Sequence, residues 1–235
     1  MAGHWRFLEL SIPTPDIVAS LDFYRCLGFT ELTTTDARKY PYAVVSDGRI
    51  AIGLHAAQLP GPALSFVQPN TANWARQLAA AGFELESQRL GLDDFHEFTL
   101  AGPSGHRVVV IEAATFSSPQ VQAAPAPLTG PSAHIELGCG NVADAEDFWR
   151  VAGLESAEDE AEDAPREVLE LAAPAVRLRL ARGADATPRL HFRSAMFADL
   201  EAAAERYGFS LTRNGEHWEV VAPEGTVLEL YVSSQ

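Results

Sequence analysis

Two cysteines in a chain of 235 residues, Cys26 and Cys139, supply neither a disulfide framework nor a cysteine-built zinc site. Both read as small buried hydrophobes, one inside a helix and one at the end of a strand. Positive charge is scarce as well: 17 Lys and Arg face 32 Asp and Glu, for a formal charge of −15. That balance excludes a nucleic-acid partner, because a phosphate backbone needs a basic stripe and the sequence has none. No apolar run reaches the roughly eighteen residues of a membrane span. The opening Met-Ala-Gly-His-Trp-Arg-Phe lacks the basic and apolar regions of a signal peptide, so a cytoplasmic protein is expected. Part of the acidity is concentrated in Ser156 to Ala164, a run with almost nothing to bury that reads as a solvated loop.

What the chain does have is short-range order. The run Phe7-Leu-Glu-Leu-Ser-Ile12 puts Leu8, Leu10 and Ile12 on one face and Phe7, Glu9 and Ser11 on the other. Thr14-Pro15-Asp16 supplies an N-cap, a proline at the first helical position and an early carboxylate, predicting a helix from Ile17 to Leu27 that stops at Gly28. Extended segments follow near Glu31 to Thr35, Tyr42 to Ser46 and Arg49 to His55, the last two joined by the hairpin pair Asp47-Gly48. A second βαβββ unit starts at Ala63 to Val67 and continues through a helix at Ala72 to Ala81. Strands near Phe83 to Ser87, Phe95 to Leu100 and His106 to Glu112 complete it. Residues 113 to 132, rich in Ala, Pro, Ser and Gln, carry no period and read as a linker.

Beyond the linker the order repeats. Asp22-Phe-Tyr-Arg25 returns 125 residues later as Asp147-Phe-Trp-Arg150, Gly82-Phe83 returns as Gly208-Phe209, and Gly102-Pro-Ser-Gly105 returns as Ala222-Pro-Glu-Gly225. The third unit opens with a strand that has Ile135 and Leu137 on one side and His134, Glu136 and Gly138 on the other. Its helix sets Val142, Ala145, Trp149 and Ala152 at helical spacing and ends at Gly153. Four such units predict an α+β protein with an N-terminal domain at 1–114, a linker at 115–131 and a C-terminal domain at 132–235.

This order resembles the vicinal oxygen chelate superfamily. The residues that carry the resemblance are Phe23-Tyr-Arg-Cys-Leu-Gly-Phe29 at the end of the first helix and Pro223-Glu-Gly225 four residues ahead of Glu229. The superfamily includes glyoxalase I, type I extradiol dioxygenases, methylmalonyl-CoA epimerase, fosfomycin-resistance enzymes and the metal-free bleomycin-resistance proteins. The resemblance covers nearly the whole chain. It implies paired βαβββ units in U-shaped mixed sheets with helices outside, and metal ligands projecting from the first and fourth strands of the units.

Carried over one position at a time, the family pattern puts first-strand ligands at Glu9 and His134, and fourth-strand positions of the even-numbered units at Val109 and Glu229. The first strands of those units offer Ala63 and Arg189, which are not ligands. His191, two residues on and on the same face, supplies an imidazole if the strand is shifted by one rung. If units three and four close the site, the implied set is His134, His191 and Glu229, which suits Fe(II), with Mn(II), Ni(II) or Zn(II) as alternatives. If unit one pairs with unit four, the set is Glu9, His55, His191 and Glu229, closer to a hydrated Ni, Zn or Mn site. The first pairing is expected because it closes the shorter loop.

Around this site Glu229 is expected as a catalytic group, and His217, just ahead of the last hairpin turn, offers an acid–base group. The side chains of Arg177 and Arg179, on the polar face of a strand, would favour an anionic substrate, and Trp218 would offer a stacking surface. Extradiol enzymes carry a tyrosine four residues before the proline of the turn, and Glu219 stands there instead. The expected function is a metal-dependent enzyme of the extradiol dioxygenase or glyoxalase type acting on a small substrate with vicinal oxygens. The alternative is a metal-free protein that sequesters a small molecule in the bleomycin-resistance manner, favoured by the missing ligands at Ala63, Val109 and Arg189. Both readings take a small molecule as partner, and a homodimer is compatible with either. His4, His96 and His106 fall at a terminus, beside a loop and in a turn, and no role is assigned to them.

Overall fold

A computed structural model describes residues 5–34, 39–92, 95–113, 128–130, 132–156, 167–183, 187–194 and 197–232. His4, the acidic run from residue 157 onward and most of the linker lie outside the described residues. The first module is β1 (Arg6–Pro13), α1 (Ile17–Cys26), β2 (Thr30–Leu32), β3 (Tyr42–Ser46) and β4 (Ala51–His55). The second is β5 (Ala63–Gln68), α2 (Thr71–Ala80), β6 (Leu85–Arg89), β7 (Glu97–Ala101) and β8 (Arg107–Glu112). The third is β9 (Ser132–Cys139), α3 (Val142–Val151), β10 (Glu155–Ser156), β11 (Val168–Ala173) and β12 (Val176–Arg182). The fourth is β13 (Arg189–Ser194), α4 (Phe197–Tyr207), β14 (Thr212–Asn214), β15 (His217–Val221) and β16 (Val227–Val232).

Two eight-stranded sheets result, ordered β2-β3-β4-β1-β5-β8-β7-β6 and β10-β11-β12-β9-β13-β16-β15-β14. Each joins two successive modules through their first strands. The pairs β1/β4, β5/β8 and β13/β16 are parallel, as a strand returning through a helical crossover requires, while the hairpins are antiparallel. This is the expected α+β fold of mixed sheets. Among the described residues no helix is long and apolar enough to cross a membrane.

Local chemistry explains the helix ends. Asp16, not Thr14, caps α1: its carboxylate accepts from the Val18 and Ala19 amides at 3.0 Å each. Thr14 is turned inward, where its hydroxyl meets Ser20 Oγ at 2.9 Å. The preference of carboxylates for the first exposed amides of a helix outweighs the proline-based placement. In α3 the cap is Asn141, which accepts from the Ala143 amide at 2.9 Å. Both helices end in a glycine with positive φ, Gly28 at 86° and Gly153 at 83°.

By packing, the chain gathers into two compact units whose borders run through β1 after Glu9 and β9 after Glu136. In the first, the Ser104 hydroxyl accepts from the Gly140 amide at 2.9 Å and His106 Nε2 donates to the Gly138 carbonyl at 2.8 Å. Gly102 lies so near Phe148 that an added Cβ would stand 2.6 Å from its ring. In the second, the Glu224 carboxylate accepts from Ser20 Oγ at 2.7 Å and from the fully buried Tyr24 hydroxyl at 2.8 Å. Burial, and then the neighbouring Glu224, raise the Tyr24 phenol well above its ordinary range. Phe23 packs edge-on to Phe209, with ring centres 5.8 Å apart. Each unit is thus fastened by the turn before the last strand of an even-numbered module.

Candidate metal centre

The alternation of β13 and β16 builds the site. Leu190, Phe192, Leu228 and Leu230 are fully buried on one face of the sheet, which leaves Arg189, His191, Glu229 and Tyr231 for the other. In register, His134 of β9 stands opposite His191, His191 opposite Glu229, and Glu229 opposite Glu219 of β15. One rung across four neighbouring strands therefore carries two imidazoles and two carboxylates. Directly beside it the β9/β13 register shifts, Phe192 facing Ser132, so β9 holds one extra residue next to His134. The start of β9 is tied down by Asp47, which accepts the Ser132 amide at 2.7 Å through one oxygen. Its other oxygen takes the Arg49 and Ile50 amides at 2.8 Å each and shapes the hairpin turn.

The His134 and His191 rings stack with centres 4.3 Å apart and planes 24° apart. Buried His191 lies between two carboxylates, its Nδ1 3.4 Å from Glu229 Oε2 and its Nε2 3.6 Å from Glu136 Oε2. The other Glu229 oxygen is held by the Arg189 guanidinium, which also donates to Glu219 at 3.2 Å. These bonds, led by the one to Glu229, hold Arg189 more firmly protonated than usual. Glu219 is pulled below the ordinary carboxylate range by hydrogen bonds from Asn214 first, then Arg189 and His217. His217 Nε2 lies 3.4 Å from Glu219 and 3.7 Å from Glu229, and the Tyr231 hydroxyl donates to Glu229 at 3.3 Å.

Two triads follow, His134 with Glu136 and His191, and His217 with Glu219 and Glu229. In each, the possible ligand atoms lie within 4.8 Å of one another. Imidazole and carboxylate donors gathered on one sheet face fit a divalent cation in their chemistry.

The sequence-predicted residues divide accordingly. His134, His191, Glu229 and His217 come together. Arg189 stands one position pair short of the rung, on the carboxylates, and His191 takes the place on β13 between His134 and Glu229. Trp218 pairs with Leu230 and so shares the face opposite His217. Arg177 is exposed and Arg179 half-buried on β12, opposite Ala172 and Glu170, in the other compact unit. His55 stands opposite Pro13, four residues beyond Glu9 on β1, which is about 13 Å along a strand. It is packed against Tyr42, ring centres 4.7 Å apart, with Tyr40 Oη 3.2 Å from its Nδ1. Counting from motifs passed over Glu136 and Tyr231, although the alternation His134, Glu136 already set Glu136 on the polar face of β9.

No family model and no curated protein matches the sequence. Solved structures do. A catechol 2,3-dioxygenase is similar over 100% of this chain and 90% of its own, at 17% identity and a TM-score of 0.62. A homoprotocatechuate 2,3-dioxygenase from Arthrobacter globiformis is similar over 99% of this chain and 80% of its own, at 13% identity and a TM-score of 0.63. A Mn(II)-bound glyoxalase from Novosphingobium aromaticivorans is similar over 97% of this chain and 87% of its own, at 14% identity and a TM-score of 0.61. Joined to the module order and the two mixed sheets, these likenesses show that the chain has the vicinal oxygen chelate fold.

Proposed function

We propose that this protein is a metal-dependent enzyme that binds a small substrate through two neighbouring oxygens, in the manner of an extradiol dioxygenase or a glyoxalase. The observation that carries the reading is the rung on which His134, His191 and Glu229 stand side by side on three adjoining strands. His134 and His191 hold the ion together with a carboxylate of the same face. Two imidazoles and one carboxylate suit Fe(II), and Mn(II), Ni(II) or Zn(II) can take the same donors. Once bound, such an ion supplies Lewis-acid stabilisation of an oxyanion. The chain's own contribution to proton transfer is His217, whose Nε2 is positioned by Glu219 and Glu229.

A second reading rests on Arg189. It already sets a cation against Glu229 and Glu219, which lets the face exist without metal and favours a binding protein for a small molecule. Elemental analysis separates the two. Protein purified without chelators and incubated with Fe(II), Mn(II), Ni(II) or Zn(II) should retain about one ion per chain, and His134→Ala and His191→Ala should not. Retention well below that level in the native chain rules out the metal enzyme.

A further inference from the structure

The structure assigns His217 and Glu219 as a carboxylate–imidazole pair, in which Glu219 holds the Nε2 proton and leaves Nδ1 as the nitrogen that takes a proton from the substrate. This rests on the proposed role of His217 and deepens it, by naming the working atom and the residue that sets it. It gives the triad of His217, Glu219 and Glu229 to proton transfer rather than to an ion.

The β14/β15 hairpin builds the pair. His217 and Glu219 are two residues apart on β15 and so share a face, while Asn214 stands opposite His217 on β14. Glu219 Oε1 accepts from Asn214 Nδ2 at 3.0 Å, from Arg189 Nη1 at 3.2 Å and from His217 Nε2 at 3.4 Å. Glu229 Oε2 lies 3.7 Å from the same ring nitrogen. Ionised carboxylates can only accept, so Nε2 carries the hydrogen and the neutral ring keeps its lone pair on Nδ1. Nδ1 has no hydrogen-bond partner among the described residues, and the His217 side chain is 18% exposed. An ion in this triad would have to take the Nε2 lone pair and displace Arg189, whose Nη1 already touches both carboxylates. Proton transfer needs neither change. The Nδ1 lone pair forms an N–H bond as an O–H or C–H bond of the substrate breaks, and the bonding electrons stay on the substrate. The imidazolium that results is held by Glu219 and Glu229. Glu219 is thus a positioning residue, and Asn214 and Arg189 keep it in place.

Long-range proton–nitrogen NMR spectra of the full-length chain with isotope-labelled histidine test the assignment, at about pH 8.5, above the ordinary imidazole range. Spectra are taken with and without Zn(II), and His217→Gln identifies the signals. The His217 ring should show a protonated Nε2, an unprotonated Nδ1 and an Nε2–H proton that exchanges slowly enough to be seen. Glu219→Ala should lose that proton signal. Asn214→Ala, which spares the ring's own contacts, should weaken it, and decides the matter if Glu219→Ala does not fold. Diethyl pyrocarbonate, which acylates a reachable unprotonated imidazole nitrogen, should modify His217 in the native chain and leave buried His106 untouched. A ring protonated at Nδ1, a signal that persists in Glu219→Ala, replacement of the Nε2 proton by Zn(II), or a His217 that resists the reagent overturns the assignment. Metal retention through His134 and His191 is judged separately: a native chain that retains no ion but keeps this tautomer removes the metal enzyme and leaves the pair standing.

Discussion

The same rung occurs in both sheets with different side chains. In the first sheet Ser65 of β5 stands opposite Val109 of β8, Val109 opposite Thr99 of β7, and Thr99 opposite Ser87 of β6. In the second, the same places hold His191, Glu229, Glu219 and Thr212. Ser87 and Thr99 satisfy each other with a hydroxyl bond of 3.1 Å, and none of these four positions of the first sheet carries an ionisable side chain. The second carries ionisable groups, with Arg189 set against both carboxylates. The strand pairing is common to the two sheets, and the ionisable side chains at these positions belong to one. Two sheets of one strand order can thus differ in the side chains set on the polar face.

The sharpest way to break the comparison is at the rung itself. His191→Ala should abolish metal retention, a loss of at least about 100-fold, whereas Ser65→Ala should leave retention unchanged, both read by metal content after dialysis. Next come the fastening turns. Glu224→Ala strips two hydrogen bonds from Ser20 and from buried Tyr24, and should lower stability by about 3 kcal/mol in urea unfolding. Ser104→Ala removes one exposed bond and should cost about 0.5 kcal/mol.

Gly102 and its counterpart Ala222 differ in a way that can also be measured. Ala222 is buried with its Cβ accommodated, while Gly102→Ala would drive a methyl group into Phe148 and should cost about 1–3 kcal/mol. The smallest effect concerns pH. Burial pushes the His106 imidazole below its ordinary value, its Nε2–H being committed to Gly138, while Nδ1 is buried without a hydrogen-bond partner among the described residues. A group depressed on folding stabilises the native state above its unfolded pKa, and that contribution declines as pH falls below about 6.5. His106→Gln should remove this part of the acid sensitivity in melts taken from pH 7 to pH 5.

Much of the fold is legible in the residues themselves. The repeated Phe-aromatic-Arg and Pro-x-Gly segments and the switch between two-residue and helical periods locate all four modules. The helix boundaries fall close to those observed. Thr14 misleads because the cap is decided by which oxygen reaches the free amides, and Asp16 does so at 3.0 Å. The candidate site is less legible. Counting back from α4 along the fourth module reaches Arg189, and only the register of β13 against β9 and β16 sets His191 on the rung with His134 and Glu229 and brings Arg189 to the carboxylates. Trp218 is placed by strand parity: its neighbour His217 faces the carboxylates, so Trp218 cannot.

The sequence by itself determined the elements, their order and which strands have a polar face, because periodicity and turn chemistry act over a few residues. Only the tertiary structure decided which polar residues share a rung, which carboxylate lies at which nitrogen of His191, and where Arg189 directs its charge. Those relations join residues up to 95 positions apart, as between His134 and Glu229, and depend on strand register. Register is set by packing the opposite, apolar face, on which none of these groups lies.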